Sequence, residues 1–233
     1  AGRITGVPAA DIVRAAWLYA TGGESDGPGT DVSAHHSSLI THHSSLVTRH
    51  FLAMLIAQEK RKTNIAEYIL YMWQVEDLIR AHLFNIDLIE KNLISQYLQP
   101  LKVKVEVRDW YANLMLMMYR EGITELGHLS FLKTLIAEMN DLHLRLLQNE
   151  GETRYQELYH FASVYIQEFR NKMTNRNASD IETCMHALYG LLLLRLKKQP
   201  VIRETETAMA SFSKLLAILS QRFLQAERGE REI

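Results

Sequence analysis

The chain has 233 residues, a length that suits one large domain or two small ones. Its hydrophobic content of 47% and charged content of 23% are typical of a chain that folds around a core. Lys and Arg (26) nearly cancel Asp and Glu (27), so the chain lacks the positive excess that attracts proteins to nucleic acid or anionic lipid. The composition therefore excludes global disorder and argues against a nucleic-acid partner.

Cysteine content and hydropathy bear on the compartment. Cys184 is the only cysteine, so the chain forms no internal disulfide, which favours a reducing compartment. The longest uncharged apolar stretch, residues 110–119, is far shorter than the roughly 20 residues that a membrane-spanning helix needs. We expect a cytoplasmic protein that has no membrane segment.

Residues 1–53 differ in composition from the rest of the chain. They contain no Lys and no Met, but six of the 11 Gly and half of the 10 His. Residues 36–49 are a near-perfect tandem heptapeptide, HSSLITH followed by HSSLVTR, and such low-complexity repeats rarely encode a core. We interpret residues 1–53 as a non-native or disordered upstream extension, and residues 54–233 as a single helical domain whose natural start is Met54.

The extension also carries a cluster of histidines. These are His35, His36, His42, His43 and His50. One interpretation is a metal-binding tract, because imidazole is the commonest metal ligand. The favoured interpretation is translated upstream sequence or a cloning remnant, a kind of segment that is set aside before the fold is considered.

From Met54 onward, apolar residues recur three and four apart, the period of amphipathic helices. Strict alternation occurs only in residues 103–107, and we extend the following helix back through them. The expected helices span about residues 55–85, 87–98, 103–120, 124–149, 152–173, 180–198 and 203–228. Short connections favour antiparallel neighbours, so the sequence predicts an all-α, up-and-down bundle of six to seven helices.

Local signals place several of these boundaries. Asp87 can cap the second helix, and Pro100 should terminate it because proline removes a backbone donor. Gly122 should break the next segment, Thr124 should start the long helix that follows, and Gly151 suits a left-handed C-cap at its end. Ser179 or Asp180 can cap the sixth helix.

The apolar stripes of these helices should face the core. The residues expected inside include Leu126 of the fourth helix, Leu158, Phe161, Tyr165, Ile166 and Phe169 of the fifth, and Met209, Phe212, Leu216, Leu219 and Phe223 of the seventh.

The segment NIAEYILYMWQVEDLIRA, residues 64–81, resembles an uncharacterised all-helical bacterial family of unknown function. The resemblance extends over residues 54–233 and leaves residues 1–53 outside. It implies a helical fold and these boundaries, but no activity, cofactor or catalytic residue.

The first predicted helix carries a polar cluster on its apolar stripe. Glu76 falls in line with Met72 and Ile79, and a desolvated carboxylate there needs a partner such as Arg80, a tyrosine hydroxyl or a ligand. An internal ion pair that fixes helix register is the favoured interpretation, and a ligand site is the alternative. The candidate ligand-binding residues are Glu76, Asp77, Arg80, Tyr68 and Trp73.

Two Glu-x-x-His spacings suggest a di-metal carboxylate bundle as an alternative. Such a bundle takes one of these motifs from each of two helices and a lone carboxylate from each of two others. The candidate ligands are Glu125, His128, Glu157 and His160, with Glu76 and Glu182 as the lone carboxylates. However, the motifs would lie at opposite poles of antiparallel helices, so capping and a solvated surface are the favoured interpretation.

Other chemistry-bearing patterns are weaker. Cys184 and His186 are two residues apart and cannot share a helix face, and the chain has no phosphate-binding or dinucleotide motif. Met115, Met117, Met118, Tyr119 and Trp110 could form an apolar partner-binding groove, although core filling is the favoured interpretation.

These observations favour a non-catalytic helical protein that acts through protein–protein interaction or self-association and needs no cofactor. The alternative is a bundle that binds a small molecule or a metal, centred on Glu76 and Arg80.

Overall fold

The computed structural model describes residues 53–96 and 100–230, which form eight α-helices and no strand. The helices are α1 (Ala53–Thr63), α2 (Ile65–Ala81), α3 (Ile86–Asn92), α4 (Leu101–Arg120), α5 (Ser130–Gln148), α6 (Thr153–Lys172), α7 (Asp180–Leu196) and α8 (Arg203–Glu227), with 3₁₀ turns at Ile94–Gln96 and Glu150–Glu152. The all-α prediction is confirmed, and residues 103–107 are helical as expected. None of these helices has the length and hydropathy needed to cross a membrane.

Several predictions concern residues outside this range. The heptapeptide, the histidine tract and the rest of residues 1–52 lie outside the described residues, as does residue 98 at the predicted end of the second helix. The interpretation of the extension therefore stays a prediction.

The chain divides into two compact units. Among the described residues, the first unit contains Lys60–Trp73 and residues 128–230. The second unit contains residues 53–59, 74–96 and 100–127. The division falls inside α2, between Trp73 and Gln74.

The core of the first unit is a four-helix bundle. Each of α5, α6, α7 and α8 contacts the other three. The predicted inward stripe of α8 is buried at every position, namely Met209, Phe212, Leu216, Leu219 and Phe223. Full burial of one such side chain contributes about 1.5–3 kcal/mol, so this stripe is a large part of what holds the bundle together.

In the second unit, α3 and the adjoining 3₁₀ turn pack against α4. The buried face of α4 consists of Val107, Tyr111, Leu114 and Met118. Arg108 donates to both Asp87 and Glu90, at 3.2 and 2.8 Å, and so ties α4 to α3.

The first predicted helix is two helices, which explains why residues 53–96 and 100–230 form one helix more than the seven expected. Asn64 separates α1 from α2, and its side-chain oxygen accepts the backbone N–H of Glu67 at 3.2 Å. The amide of Asn64 donates in turn to the Glu67 carboxylate at 3.0 Å. This reciprocal cap starts a new helix inside a stretch whose apolar period is continuous.

Helix α2 also ends earlier than predicted, at Ala81. Leu83 and Phe84 adopt left-handed backbone conformations, with φ of 56° and 55°, which no α-helix accommodates. Asn85, not Asp87, is the N-cap of α3, and its side chain accepts the backbone N–H groups of Asp87 and Leu88. Pro100 directly precedes α4 instead of terminating a helix.

The predicted start of the fourth helix at Thr124 is wrong. The break at Gly122 is confirmed, with φ of +67°, but residues 123–129 are not helical and α5 begins at Ser130. Leu126, expected inside the bundle, is 70% exposed. Gly151 is not the left-handed cap of this helix either. It lies in a 3₁₀ turn, and its N–H donates to the side chain of Asn149.

The predicted inward stripe of α6 is only partly correct. Ile166 is buried as expected, but Phe161 is 56% exposed, and the other buried positions are Tyr155 and Ala162. The small Ala162 marks the inner face, so the large Phe161 lies on the outside.

The start of α7 is confirmed at Ser179. Its hydroxyl accepts the backbone N–H of Glu182 at 3.2 Å, the bond expected of an N-cap serine. This bond satisfies one of the backbone donors that a helix start leaves free.

We predict that Ser179→Ala lowers the free energy of unfolding by about 1 kcal/mol, because the N-cap bond is lost. Urea unfolding followed by circular dichroism measures the change. Ser213→Ala, at an exposed position of α8, is the matched control and should stay within about 0.5 kcal/mol of wild type. Equal stability of the two variants would contradict the capping role.

Candidate functional site

The predicted Glu76 cluster is organised around Arg80 in a way that the sequence did not suggest. Arg80 pairs with Asp77 at 2.8 Å, whereas Glu76 was the expected partner. The same guanidinium donates to the backbone oxygens of Ile123 and Gly127. Arg80 therefore holds residues 123–127 in a non-helical path, which explains the late start of α5.

Two other candidate residues on α2 also have clear environments. Glu76 is only 1% exposed, as its place on the apolar stripe predicted. Tyr68 is half-buried, and burial raises the pKa of its hydroxyl, while the nearby charge of Arg61 lowers it. Arg61 itself forms a bidentate pair with Glu227, at 2.6 and 2.8 Å, that ties α1 to α8 within the first unit.

The geometric premise of the di-metal alternative is wrong for one motif. Glu125 and His128 lie in the non-helical segment before α5, so the three-residue spacing does not put them on one helix face. Glu157 and His160 are exposed on α6. Among residues 53–96 and 100–230, no three His, Cys, Asp or Glu side chains are grouped as metal ligands.

The structure does bring His128 and Glu182 close to Trp73. The rings of Trp73, His128, His186 and Tyr189 form a group that we call the aromatic cluster. The His128 and His186 ring centroids lie 4.1 and 5.0 Å from that of Trp73, and both rings are stacked on the indole. Tyr189 meets Trp73 edge-on at 5.4 Å. Glu182 lies one turn before His186, with Oε1 3.8 Å from Nε2.

Burial sets the electrostatics of this cluster. It lowers the pKa of His186 below 6.5, and the neighbouring His128 lowers it further, while the Glu182 carboxylate raises it. The indole of Trp73 is 1% exposed, and its N–H has no hydrogen-bond acceptor among the described residues. The cluster is therefore a packed aromatic contact in which burial favours the neutral form of His186.

A second polar group, which sequence reasoning missed, links α5, α6 and α7. We call it the Asp180 network: His143, Tyr155, Tyr159, Arg170 and Asp180. Nδ1 of His143 lies 2.7 Å from the Tyr155 hydroxyl, and Nε2 lies 3.7 Å from Asp180. Tyr159 donates to Asp180 at 2.6 Å, and Arg170 donates to the other carboxylate oxygen.

This network has strongly shifted ionisation. His143, followed by Tyr159 and Arg170, holds the pKa of Asp180 far below its ordinary value. Burial and the bond to Asp180 raise the pKa of Tyr159 to about 12. His143 and Tyr155 are both 0% exposed, so a substrate in solution has no access to them. The network therefore acts as a cross-link between helices, and only the position of His143 beside the apolar stripe of α5 hinted at it.

Cys184 lies near this network and is also fully buried. Burial, followed by the negative charge of Asp180, raises the pKa of its thiol. A thiol with a raised pKa is a poor nucleophile, so the prediction of core packing for Cys184 agrees with its surroundings.

An apolar groove of about 330 Å³ lies between α6, α7 and α8 in the first unit. Leu191 and Leu194 of α7 line it, together with Phe169 of α6 and Met209 of α8, and Lys197 stands at one end. On the same helix as Phe169, Phe161 and Val164 are 56% and 60% exposed. We call Phe161, Val164 and Tyr165 the α6 ridge; the Phe161 and Tyr165 ring centroids are 5.8 Å apart.

The methionine-rich set on α4, in the second unit, has mixed environments. Met118 is fully buried, and Met115 and Trp110 are half-buried, which agrees with core filling. Met117 and Tyr119 are 38% and 73% exposed. This set therefore serves partly as core and partly as surface.

Together these features define an all-α bundle protein with a partly buried polar network and an open apolar groove. The chain belongs to the family described as a domain of unknown function (DUF4924), whose model matches residues 54–230. The resemblance noted for residues 64–81 is thus confirmed. No curated protein and no solved structure matches the chain.

The depressed pKa of Asp180 leads to a prediction about acid stability. The unfolded carboxyl titrates near 3.8 and the folded one lower, so its contribution is complete above this value and is lost as pH falls below it. We expect Asp180→Asn to be less stable than wild type at neutral pH, and the difference to shrink below about pH 4. Urea unfolding at a series of pH values measures both effects.

Asp141→Asn, at an exposed position of α5, is the control and should keep the wild-type pH dependence. If the difference between wild type and Asp180→Asn stayed constant down to the lowest pH, Asp180 would not have the depressed pKa.

The aromatic cluster gives a second pH prediction. NMR titration of His186 in the labelled protein should show a midpoint below 6.5. Glu182→Gln removes the charge that favours the imidazolium and should move the midpoint lower. His128→Gln removes a competing positive charge and should move it higher. Shifts in the opposite directions would show that these neighbours do not control His186.

Proposed function

We propose that this protein is a non-catalytic binding module that acts by docking another protein on the first unit. The observation that carries the proposal is the apolar groove between α6, α7 and α8. Helix-lined apolar grooves are a recurring site for binding the apolar face of a partner. Of the residues that line this groove, Leu194 is 41% exposed and leaves apolar surface in contact with water.

The α6 ridge adds exposed apolar surface on the helix that contributes Phe169 to the groove. Phe161 and Val164 are more than half exposed, and Tyr165 is half-buried beside them. Aromatic side chains are enriched in protein interfaces, because they bury a large area at a low cost in conformational entropy. The groove and the ridge together supply what a partner needs, namely a pocket and exposed aromatic anchors.

The placement of the polar groups supports a non-catalytic role. The most strongly perturbed groups, in the Asp180 network, surround residues that are 0% exposed. Perturbed pKa values also arise in structural ion-pair networks. A buried network that cross-links three helices explains these values without a reaction.

Self-association remains the second half of this proposal. In the second unit, Leu101 and Tyr119 of α4 are 78% and 73% exposed, and they lie on one helix face because 18 residues are five helical turns. An exposed apolar helix face of this kind is suited to a second copy of the chain.

We further propose that the protein acts in the bacterial cytoplasm. Its only cysteine is a free, buried thiol, which suits a reducing compartment where disulfides do not stabilise folds. The ligand-binding alternative centred on Glu76 and Arg80 gains no support from geometry, because the Arg80 guanidinium is engaged by Asp77 and two backbone oxygens.

Site-specific photo-crosslinking in cells tests the docking proposal. A photoreactive phenylalanine analogue replaces Phe161 in the full chain, and we expect one discrete crosslinked product, because this position lies on the docking surface. The same analogue at Ser213, exposed on α8, is the control and should give no such product. Val164→Glu, in the chain that carries the photoreactive analogue at position 161, should abolish the crosslink.

Light scattering on the purified chain separates the two halves of the proposal. If the crosslinked product from position 161 has twice the chain mass, and the chain forms a concentration-dependent dimer in solution, the surface around Phe161 binds a second copy of the chain. A strict monomer that gives the same crosslinks from Phe161 and Ser213 would contradict the docking proposal.

A further inference from the structure

The groove follows one face of α7. Ala187, Gly190, Leu191, Leu194 and Lys197 line it from this helix, spaced three and four apart. Ten residues of α-helix rise about 15 Å, so the groove is about three helical turns long. Its length therefore suits a short helix.

Gly190 leaves room at the middle of this face. A Cβ atom added there would meet no heavy atom within 4 Å, and Gly190 has no positive φ that would require glycine. Glycine in a helix interior is less stable than alanine. The internal structure of the first unit therefore gives no reason for glycine at this position, whereas a closely approaching partner backbone does.

The end of the groove is basic. Arg195, Lys198 and Arg203 are exposed close to Lys197 along the chain, and none of these four forms an ion pair within residues 53–96 and 100–230. Two carboxylates, Glu204 and Glu206, lie in the first turn of α8, so the four cations are only partly offset.

The turn after α7 fixes one of these charges. Lys198 adopts φ of +50°, and its N–H donates to the oxygen of Arg195 at 3.0 Å. The N–H of Gln199 donates to the oxygen of Leu194 at 3.0 Å, so the helix ends in a Schellman turn. A lysine therefore occupies a left-handed position where glycine is the usual residue, which keeps a positive charge at the end of the groove.

We propose that the groove binds a three-turn amphipathic helix of another protein that carries an acidic residue at one end of its apolar face. Its apolar side chains lie over Gly190 between Leu191 and Phe169, and its carboxylate pairs with Lys197 and Lys198. This inference rests on the proposed docking function and specifies the chemistry of the partner.

Charge favours a different protein over a second copy as the occupant. A two-fold dimer through this face would use the same patch on both chains. A second copy would present the same groove lining, which contains Lys197 but no acidic residue that could pair with the basic end. An acidic partner helix has the complementary charge.

Synthetic peptides provide the probe. A helical three-turn peptide carries leucines at positions i, i+4 and i+7 and a glutamate at one end, and fluorescence anisotropy measures its binding to the full chain. We expect Gly190→Ala to weaken binding and Gly190→Leu to weaken it at least about 10-fold, because these side chains fill the space that the peptide uses.

Both variants should fold, which makes them more informative than a core substitution. Replacing the helical glycine by a better helix former should raise Tm, by about 2–4 °C for Gly190→Ala. Unchanged peptide affinity in a folded Gly190→Leu variant would overturn the proposed site.

A charge exchange tests the acidic residue. The double substitution Lys197→Glu and Lys198→Glu should weaken binding of the glutamate peptide about 10-fold. It should strengthen binding of a peptide that has lysine in place of the glutamate. Lys214→Glu, at an exposed position of α8, is the matched control and should change neither affinity by more than about two-fold. Equal binding of both peptides to wild type would overturn the acidic-partner inference.

The docking function and the acidic partner helix are tested by different outcomes. If Gly190→Leu abolishes the crosslink from Phe161 in cells but peptide charge has no effect, the docking function stands and the acidic helix is wrong. If Phe161 gives no specific crosslink and neither peptide binds wild type, the docking function fails as well.

Discussion

The contact of Asp180, on α7, with the two neighbouring helices α5 and α6 is the interaction on which the first unit most depends. The carboxylate lies at the start of α7, receives Tyr159 and Arg170 from α6, and lies near His143 of α5. Removing one member of such a buried group leaves the others without their partner, which costs more than an exposed ion pair contributes. The network therefore sets the position of α7 against α5 and α6, and the groove lies along α7.

Much of the fold follows from the period of the apolar residues. All five residues of the predicted stripe on α8 are buried, because large apolar side chains three and four apart leave water together on one helix face. The cap at Ser179 was one of two alternatives predicted for the start of α7, but the side-chain caps at Asn64 and Asn85 were missed. The start of α5 was missed because its cause is tertiary. Residues 123–129 have the composition of a helix, but Arg80 binds their backbone oxygens from α2.

The sites were harder to predict than the fold, for physical reasons. His128 and Glu182 were singled out for a metal site and Trp73 for a ligand site, and the stacking that joins Trp73 to His128 depends on a long-range contact that no spacing reveals. Phe161 was assigned to the core because it is large, whereas Ala162 occupies the inner face of α6. Periodicity finds the direction of a helix face but does not decide between two adjacent faces when both contain apolar residues.

Because Cys184 is buried, the reactivity of its thiol can measure how often the first unit opens. A thiol reagent reaches this side chain only after the bundle opens, because the sulfur is enclosed and its ionisation is suppressed. The rate of alkylation in native conditions therefore reports the frequency and free energy of opening events of the first unit. A partner that occupies the groove would slow this reaction without touching the cysteine, in proportion to the stability that it adds.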